Sequence, residues 1–150
     1  MTNRILPVME RVMHQTKETT YLTIPEGDEG VFIDCAHLPY SFSSSEMVGA
    51  RSPLSHGVAN KMILAYKNNE KRKRIIQSLF QKGELKDLKG LEKELGIIKK
   101  CGISISFDEM KSIYASISAS IFFLGRQHCS CDQCNLPILQ IRRERNRSDH

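Results

Sequence analysis

Gly49 and Ala50, in the stretch V-G-A-R-S-P-L-S-H-G-V-A-N-K-M-I-L-A-Y (48–66), are small enough to leave main-chain N–H groups within reach of a ligand. Pro53 fixes φ at what reads as a helix entry, and Val58, Met62, Ala65 and Tyr66 recur at helical spacing. A small-residue loop feeding a helix N-terminus suits an anion, because unpaired N–H groups and the helix dipole both favour negative charge. Arg51 in the same loop either adds charge to such a site or faces solvent. A second set lies in A-S-I-S-A-S-I-F (115–122). In an extended strand Ser116, Ser118 and Ser120 share one face, and Ile117, Ala119 and Ile121 share the other. A serine row is either the wet face of an antiparallel sheet or the lining of a polar pocket.

Two further constellations invite chemistry. His128, Cys129, Cys131 and Cys134 form H-C-x-C-x-x-C, a concentration of soft ligands that suggests zinc. Structural zinc sites draw their ligands as two pairs a dozen or more residues apart, however. Here all four crowd together, and adjacent His128 and Cys129 cannot both reach one tetrahedral ion without strain. Asp108-Glu109 offers a carboxylate pair and His56 a base, but neighbouring carboxylates usually mark a solvated turn. No set of nucleophile, base and orienting group can be named. The reading is therefore not an enzyme, with no metal and no cofactor.

The elements that must position these residues follow from patterning. The chain has 150 residues, enough for one domain with a real core, and its 40% hydrophobic and 26% charged content is that of a globular protein. The net charge of +5 is local, concentrated in K-N-N-E-K-R-K-R (67–74) and R-R-E-R-N-R (142–147), runs that usually form solvated faces. No apolar run reaches the length of a membrane span, and the N-terminus lacks the core of a signal peptide. A cytoplasmic protein with reduced cysteines is expected, with no membrane contact. Residues 4–14 predict an amphipathic helix, with Leu6, Met9, Val12 and Met13 on one stripe. T-T-Y-L-T-I-P (19–25) and G-V-F-I-D-C-A-H (30–37) predict a hairpin across P-E-G-D-E-G. Helices follow to about residue 67, over Glu70–Lys82 and over Lys86–Lys100, stopped by Gly83 and Gly102. Strands at 103–106 and 115–122 complete an α+β domain with an antiparallel sheet.

With these pieces in order, the chain resembles the effector-binding domain of IclR-family bacterial transcriptional regulators. The matching segments are E-T-T-Y-L-T-I-P-E-G-D-E-G-V-F-I-D (18–34), G-A-R-S-P-L-S (49–55), L-G-I-I-K-K-C-G-I-S-I-S-F-D-E (95–109) and S-I-S-A-S-I-F (116–122). The resemblance implies a GAF-like fold: an antiparallel sheet flanked by helices, with a pocket for a small metabolite, usually a carboxylate. It also implies a dimer or tetramer that acts on DNA through a separate winged-helix domain, which this sequence does not contain. Carried over position by position, the ligand's acid group would meet the amides of Gly49 and Ala50, with Arg51 nearby. Ser106, Tyr114 and Ser116 fall at pocket-lining positions, and strand alternation adds Ser118. Two positions depart from the family pattern: Pro53-Leu54-Ser55 stands where Pro-Leu-His is usual, with His56 one place on, and Asn60 replaces a glycine ahead of Lys61.

After Phe122 the resemblance stops. The family continues with a buried strand and a long closing helix, whereas this chain reads F-L-G-R-Q-H-C-S-C-D-Q-C-N-L-P-I-L-Q-I-R-R-E-R-N-R-S-D-H. Codon degeneracy lets R-Q-H-C-S-C-D-Q-C be read one nucleotide forward as G-S-I-V-A-V-I-S-V, an apolar strand of the kind the family has there. The tail thus fits a frameshifted translation better than a metal site. The expected domain is residues 1–122, with 123–150 a divergent basic tail outside the fold. The sheet would then be incomplete at its C-terminal strand, opening an edge beside 116–122 and weakening ligand binding. The alternative reading is a zinc-binding module whose basic runs contact nucleic acid.

Overall fold

The computed structural model describes residues 2–39, 47–107, 114–121 and 138–144. Helix α1 (Thr2–Thr16) buries Ile5, Met9 and Met13, spaced by four so that they lie one above another on one face. The buried stripe is turned slightly from the expected one, leaving Leu6 and Val12 half-buried. Strands β1 (Thr19–Glu26) and β2 (Glu29–Ala36) form the expected hairpin, with Gly27 supplying a positive φ of 64° at its turn. Strand β3 (Arg51–Pro53) adds an edge beside β2. Pro53 therefore ends an edge strand, where its missing N–H costs no ladder bond, and does not open the helix as its position suggested. Helix α2 (Val58–Tyr66) begins later, after Gly57 at φ 90°.

Helices α3 (Asn69–Gln81) and α4 (Leu88–Cys101) carry their own start signals. The Asn68 side chain accepts from the Lys71 N–H at 2.8 Å, and that of Asp87 from the Gly90 N–H at 2.9 Å. Gly102 ends α4 in the left-handed region, donating its N–H to the Ile98 carbonyl. The chain then adds β4 (Ile103–Phe107), β5 (Tyr114–Ser120) and β6 (Ile138–Glu144). All six strands join one sheet in the order β3-β2-β1-β6-β5-β4, every neighbouring pair antiparallel.

The place of β6 differs from the sequence expectation. Ile138–Glu144 pairs with β1 on one side and β5 on the other, so the sheet is continuous and β5 is not an edge. I-L-Q-I-R-R-E carries enough β-forming residues to act as a strand, although the sequence reading placed it in a tail outside the fold.

The sheet separates two cores. On one face α1 packs Ile5, Met9 and Met13 against Leu22 and Ala36. On the other, α2 lies across β1, β2, β4, β5 and β6, backed by α4. There Leu54, Met62, Leu64, Ile76, Leu91, Leu95 and Ile98 form the larger cluster. Lys61 of α2 ties to Glu94 of α4 at 2.9 and 3.0 Å.

Candidate functional site

The site is built on the sheet face beneath α2. Register sets two rows across four strands: Ser104, Ser118, Gln140 and Tyr21, then Ser106, Ser116, Arg142 and Thr19. Residues directly opposite in an antiparallel ladder share a face, so both serine pairs lie on one side of the sheet. That side is the covered one. Ser104 and Ser118 are buried, Ser116 is half-buried, and only Ser106 is exposed, toward the end of its strand. The simplest expectation for a serine row, a wet sheet face, does not hold for its buried members.

Three hydroxyls on this face stand out. Thr23 Oγ1, Ser118 Oγ and Ser120 Oγ are buried and have no hydrogen-bond partner among the described residues. Ser120 and Thr23 both oppose Ile138 in register, so the three oxygens fall in two adjacent rows spanning β5 to β1, roughly 10 Å at two strand spacings. A buried polar group left unpaired costs roughly 1–3 kcal/mol, so these hydroxyls are poised to gain from a polar ligand. Beside them the rings of Tyr21 and Phe32 pack with centroids 5.2 Å apart. Thr23, Tyr21 and Phe32 were not singled out from the sequence. The alternation of T-T-Y-L-T, which puts Tyr21 and Thr23 on one face, was the available signal.

The 49–55 segment lies along the opposite end of the sheet. Gly49 N–H donates to the Phe32 carbonyl at 2.7 Å, Phe32 N–H to Ala50 at 3.1 Å, and Ala50 N–H to Met47 at 3.0 Å. The two amides expected to receive an acid group are therefore engaged within the protein, and they border β2 rather than a helix N-terminus. Arg51 reaches both carboxylate oxygens of Glu26 at 3.0 Å, an exposed pair at the β3 edge. With β1 and β6 between β2 and β5, the segment and the serines are not in contact through one strand pair. Tyr114 begins β5 opposite Glu144, on the same face by alternation as Ser116; its side chain lies outside the described residues.

Asn60 closes the space between loop and sheet. Buried on α2, its Nδ2 donates to Ser52 Oγ at 2.6 Å, to the Pro53 carbonyl at 3.1 Å and to the His56 carbonyl at 2.8 Å. Its Oδ1 sits against Gly30, where any Cβ would overlap it. Asn60 is thus a clamp on β3 and on the turn into α2, which accounts locally for the asparagine there.

Other candidate groups do less. Ser55 Oγ and His56 Nδ1 are 2.9 Å apart, but Ser55 is buried and also reaches the Glu84 carbonyl at 3.4 Å. No acid orients His56 among the described residues. Burial and the neighbouring Asp34 carboxylate push the Cys35 thiol up, keeping it protonated at neutral pH. Asp108-Glu109 and the His128, Cys129, Cys131 and Cys134 cluster lie outside the described residues. Among the described residues no group of three or more His, Cys, Asp or Glu is placed to hold a metal, and no helix is long and apolar enough to cross a membrane.

Comparison with known proteins decides the family. Residues 1–144 match the family described as "Bacterial transcriptional regulator IclR C-terminal". The chain belongs to this IclR C-terminal family. A curated relative, the HTH-type transcriptional regulator KipR of Bacillus subtilis (strain 168), is 26% identical over 125 residues, covering 81% of this chain and 50% of KipR. The chain thus spans half the length of that relative. Among solved structures, the Thermotoga maritima IclR superposes with a TM-score of 0.77 at 20% identity, covering 95% of this chain and 57% of that one. An IclR homolog from Microbacterium hydrocarbonoxydans, solved in complex with 4-hydroxybenzoate, gives 0.74 at 19% identity, covering 95% and 57%. The GAF-like antiparallel sheet flanked by helices is the fold these IclR-type domains share.

Proposed function

We propose that this IclR-type domain is the sensor of a bacterial transcriptional regulator and binds a small organic acid on the sheet face beneath α2. The observation that carries this is the set of buried, unpartnered hydroxyls of Thr23, Ser118 and Ser120. A site built to hydrogen-bond a ligand leaves such groups unpaired until the ligand arrives. Ser106, Ser116 and Tyr114 would extend the same face toward its open end, while Gly49, Ala50 and Arg51 would border it at the β2 side. Because Gly49 and Ala50 spend their N–H groups internally, the acid's polar contacts fall mainly to hydroxyls. The relative solved with 4-hydroxybenzoate supports an acid of that size. In this reading the domain works in a dimer or tetramer and acts on DNA through a winged-helix domain outside this sequence.

Thermal-shift screening of small aliphatic and aromatic acids tests the reading. A binder should raise the melting temperature by several degrees at concentrations about a hundredfold above Kd, the increment mass action gives. Ser118→Val should remove the shift while leaving a cooperative melt. Absence of any shift across the acids, or a shift unchanged in Ser118→Val, would refute it.

A further inference from the structure

A second candidate site lies away from the sheet, in the groove between α3 and α4. It is a cavity of about 370 Å³ whose walls carry Arg72 and Lys73 from α3 and Lys99 and Lys100 from α4. The carboxylate of Glu92 leaves it at a net +3, and Leu95 and Gly96 complete the lining. None of the four cations makes an ion pair among the described residues; the three ion pairs there are Arg51–Glu26, Lys61–Glu94 and Lys82–Asp28.

Helix stability explains only half of this charge. Lys99 and Lys100 occupy the last turn of α4, where the dipole favours cations. Arg72 stands in the first turn of α3 and Lys73 directly after it, at the helix end that repels cations. Arg72 is held there, its Nη2 donating to Asn69 Oδ1 at 2.6 Å. Lys71 and Arg74 add to the same end, against the single carboxylate of Glu70. Four cations line one groove, two of them opposed by their own helix, and an anion between the helices would offset their charge.

We propose that this groove binds a small polyanion bearing two or more phosphate groups. One carboxylate could not neutralise cations set on two helices, whereas linked phosphates offer several oxygens to the Arg72 fork and the lysine ammoniums at once. The volume is that of a small-ligand site, which typically runs from roughly 300 to 1,000 Å³. The concave shape fits a compact ligand better than the broad surface of a duplex. Gly96 in the lining leaves the helix backbone open to it, since a Cβ there would meet nothing within 4 Å.

The test uses the full 150-residue chain and inorganic triphosphate as probe, followed by titration calorimetry at low ionic strength. Saturable binding is expected, weakened about tenfold or more by Lys73→Glu and by Lys99→Glu, and tightened roughly two- to threefold by Glu92→Gln. Lys89→Glu makes the same charge change on α4 outside the groove and should alter affinity less than about twofold. All four are surface changes that leave the cores intact, which a cooperative melt verifies. No saturable binding at millimolar triphosphate overturns the proposal. So does equal weakening by Lys89→Glu, or displacement of triphosphate by a short DNA duplex at lower concentration, which would make the occupant nucleic acid.

Discussion

The two faces of the β4–β5 pair have the opposite polarity from what burial usually selects. Ile103, Ile105 and Ile117 are 40%, 51% and 38% exposed, while Ser104 and Ser118 on the other face are 3% and 1% exposed. The hydrophobic effect acting on this pair alone would turn it over. What prevents this is the covering layer. Helix α1 packs chiefly on β1 and β2, where Leu22 and Ala36 meet Met9 and Met13 with Ile121 at the margin, whereas α2 extends over β4 and β5. Polar residues therefore sit beneath the larger helical layer. Their desolvation is offset by the apolar cluster around Leu64 and Met62, a few residues away on the same helix. A buried face that keeps unpaired hydroxyls serves recognition more readily than stability, and that is the physical content of the sensing proposal.

The largest effect that could break this contrast is loss of the layer itself. Leu64 is wholly buried among Ile76, Leu91 and Leu95, so Leu64→Ala should cost about 2–5 kcal/mol of unfolding free energy. Urea denaturation reads this directly. If the layer holds the serine face closed, the variant should also lose acid binding where it remains folded. A cost below 1 kcal/mol would mean that α2 is not what covers the sheet.

A smaller but more discriminating effect comes from the two faces at adjacent positions. Ser118→Ala removes a hydroxyl with no partner, so stability should stay level or rise by about 1 kcal/mol while acid affinity falls about tenfold. Ile117→Ala, one residue away on the open face, should cost about 1 kcal/mol or less and leave affinity unchanged, because that side chain is already partly in water. Opposite signs in stability and in binding at neighbouring residues would establish the inversion. Destabilisation by both would show that Ser118 is an ordinary structural serine.

How much of this was legible beforehand depended on whether the cause was local. The β1–β2 hairpin, α3 and α4 fell within a residue or two of their expected bounds, because Gly27, Asn68, Asp87 and Gly102 mark their ends in the sequence itself. The serine alternation of β5 was legible too, whereas the register that sets Ser104 and Ser106 opposite Ser118 and Ser116 was not. Which face is covered was not legible, since it depends on how far α2 and α1 extend across the sheet. Nor was the fate of the Gly49 and Ala50 amides, which are taken up by edge pairing with Phe32. Pro53 misled because the same fixed φ serves a helix start and an edge strand. That Ile138–Glu144 fills the gap between β1 and β5 was not legible either, because it depends on long-range pairing with strands far away in the sequence.

The smallest expected effect concerns how the helical layer is fastened to the hairpin. At the C-terminal end of α3, Lys82 donates to Asp28 Oδ2 at 2.9 Å in the β1–β2 turn, and this bond holds the Asp28 carboxyl below its ordinary range. A carboxylate whose pKa is lowered in the folded state binds its proton more readily in the unfolded chain. Its contribution to stability is therefore present above the unfolded pKa and disappears as pH falls through the folded one. Lys82 is exposed, so screening keeps the increment small. Urea midpoints measured at pH 7, 5 and 3 should accordingly decline slightly more in the native chain than in Lys82→Ala, with the gap closing at the acid end. The same slope in both would show that the layer is held to the sheet by its apolar contacts alone. Raising the salt concentration should also shrink the gap at neutral pH, since an exposed pair is screened and a packing contact is not.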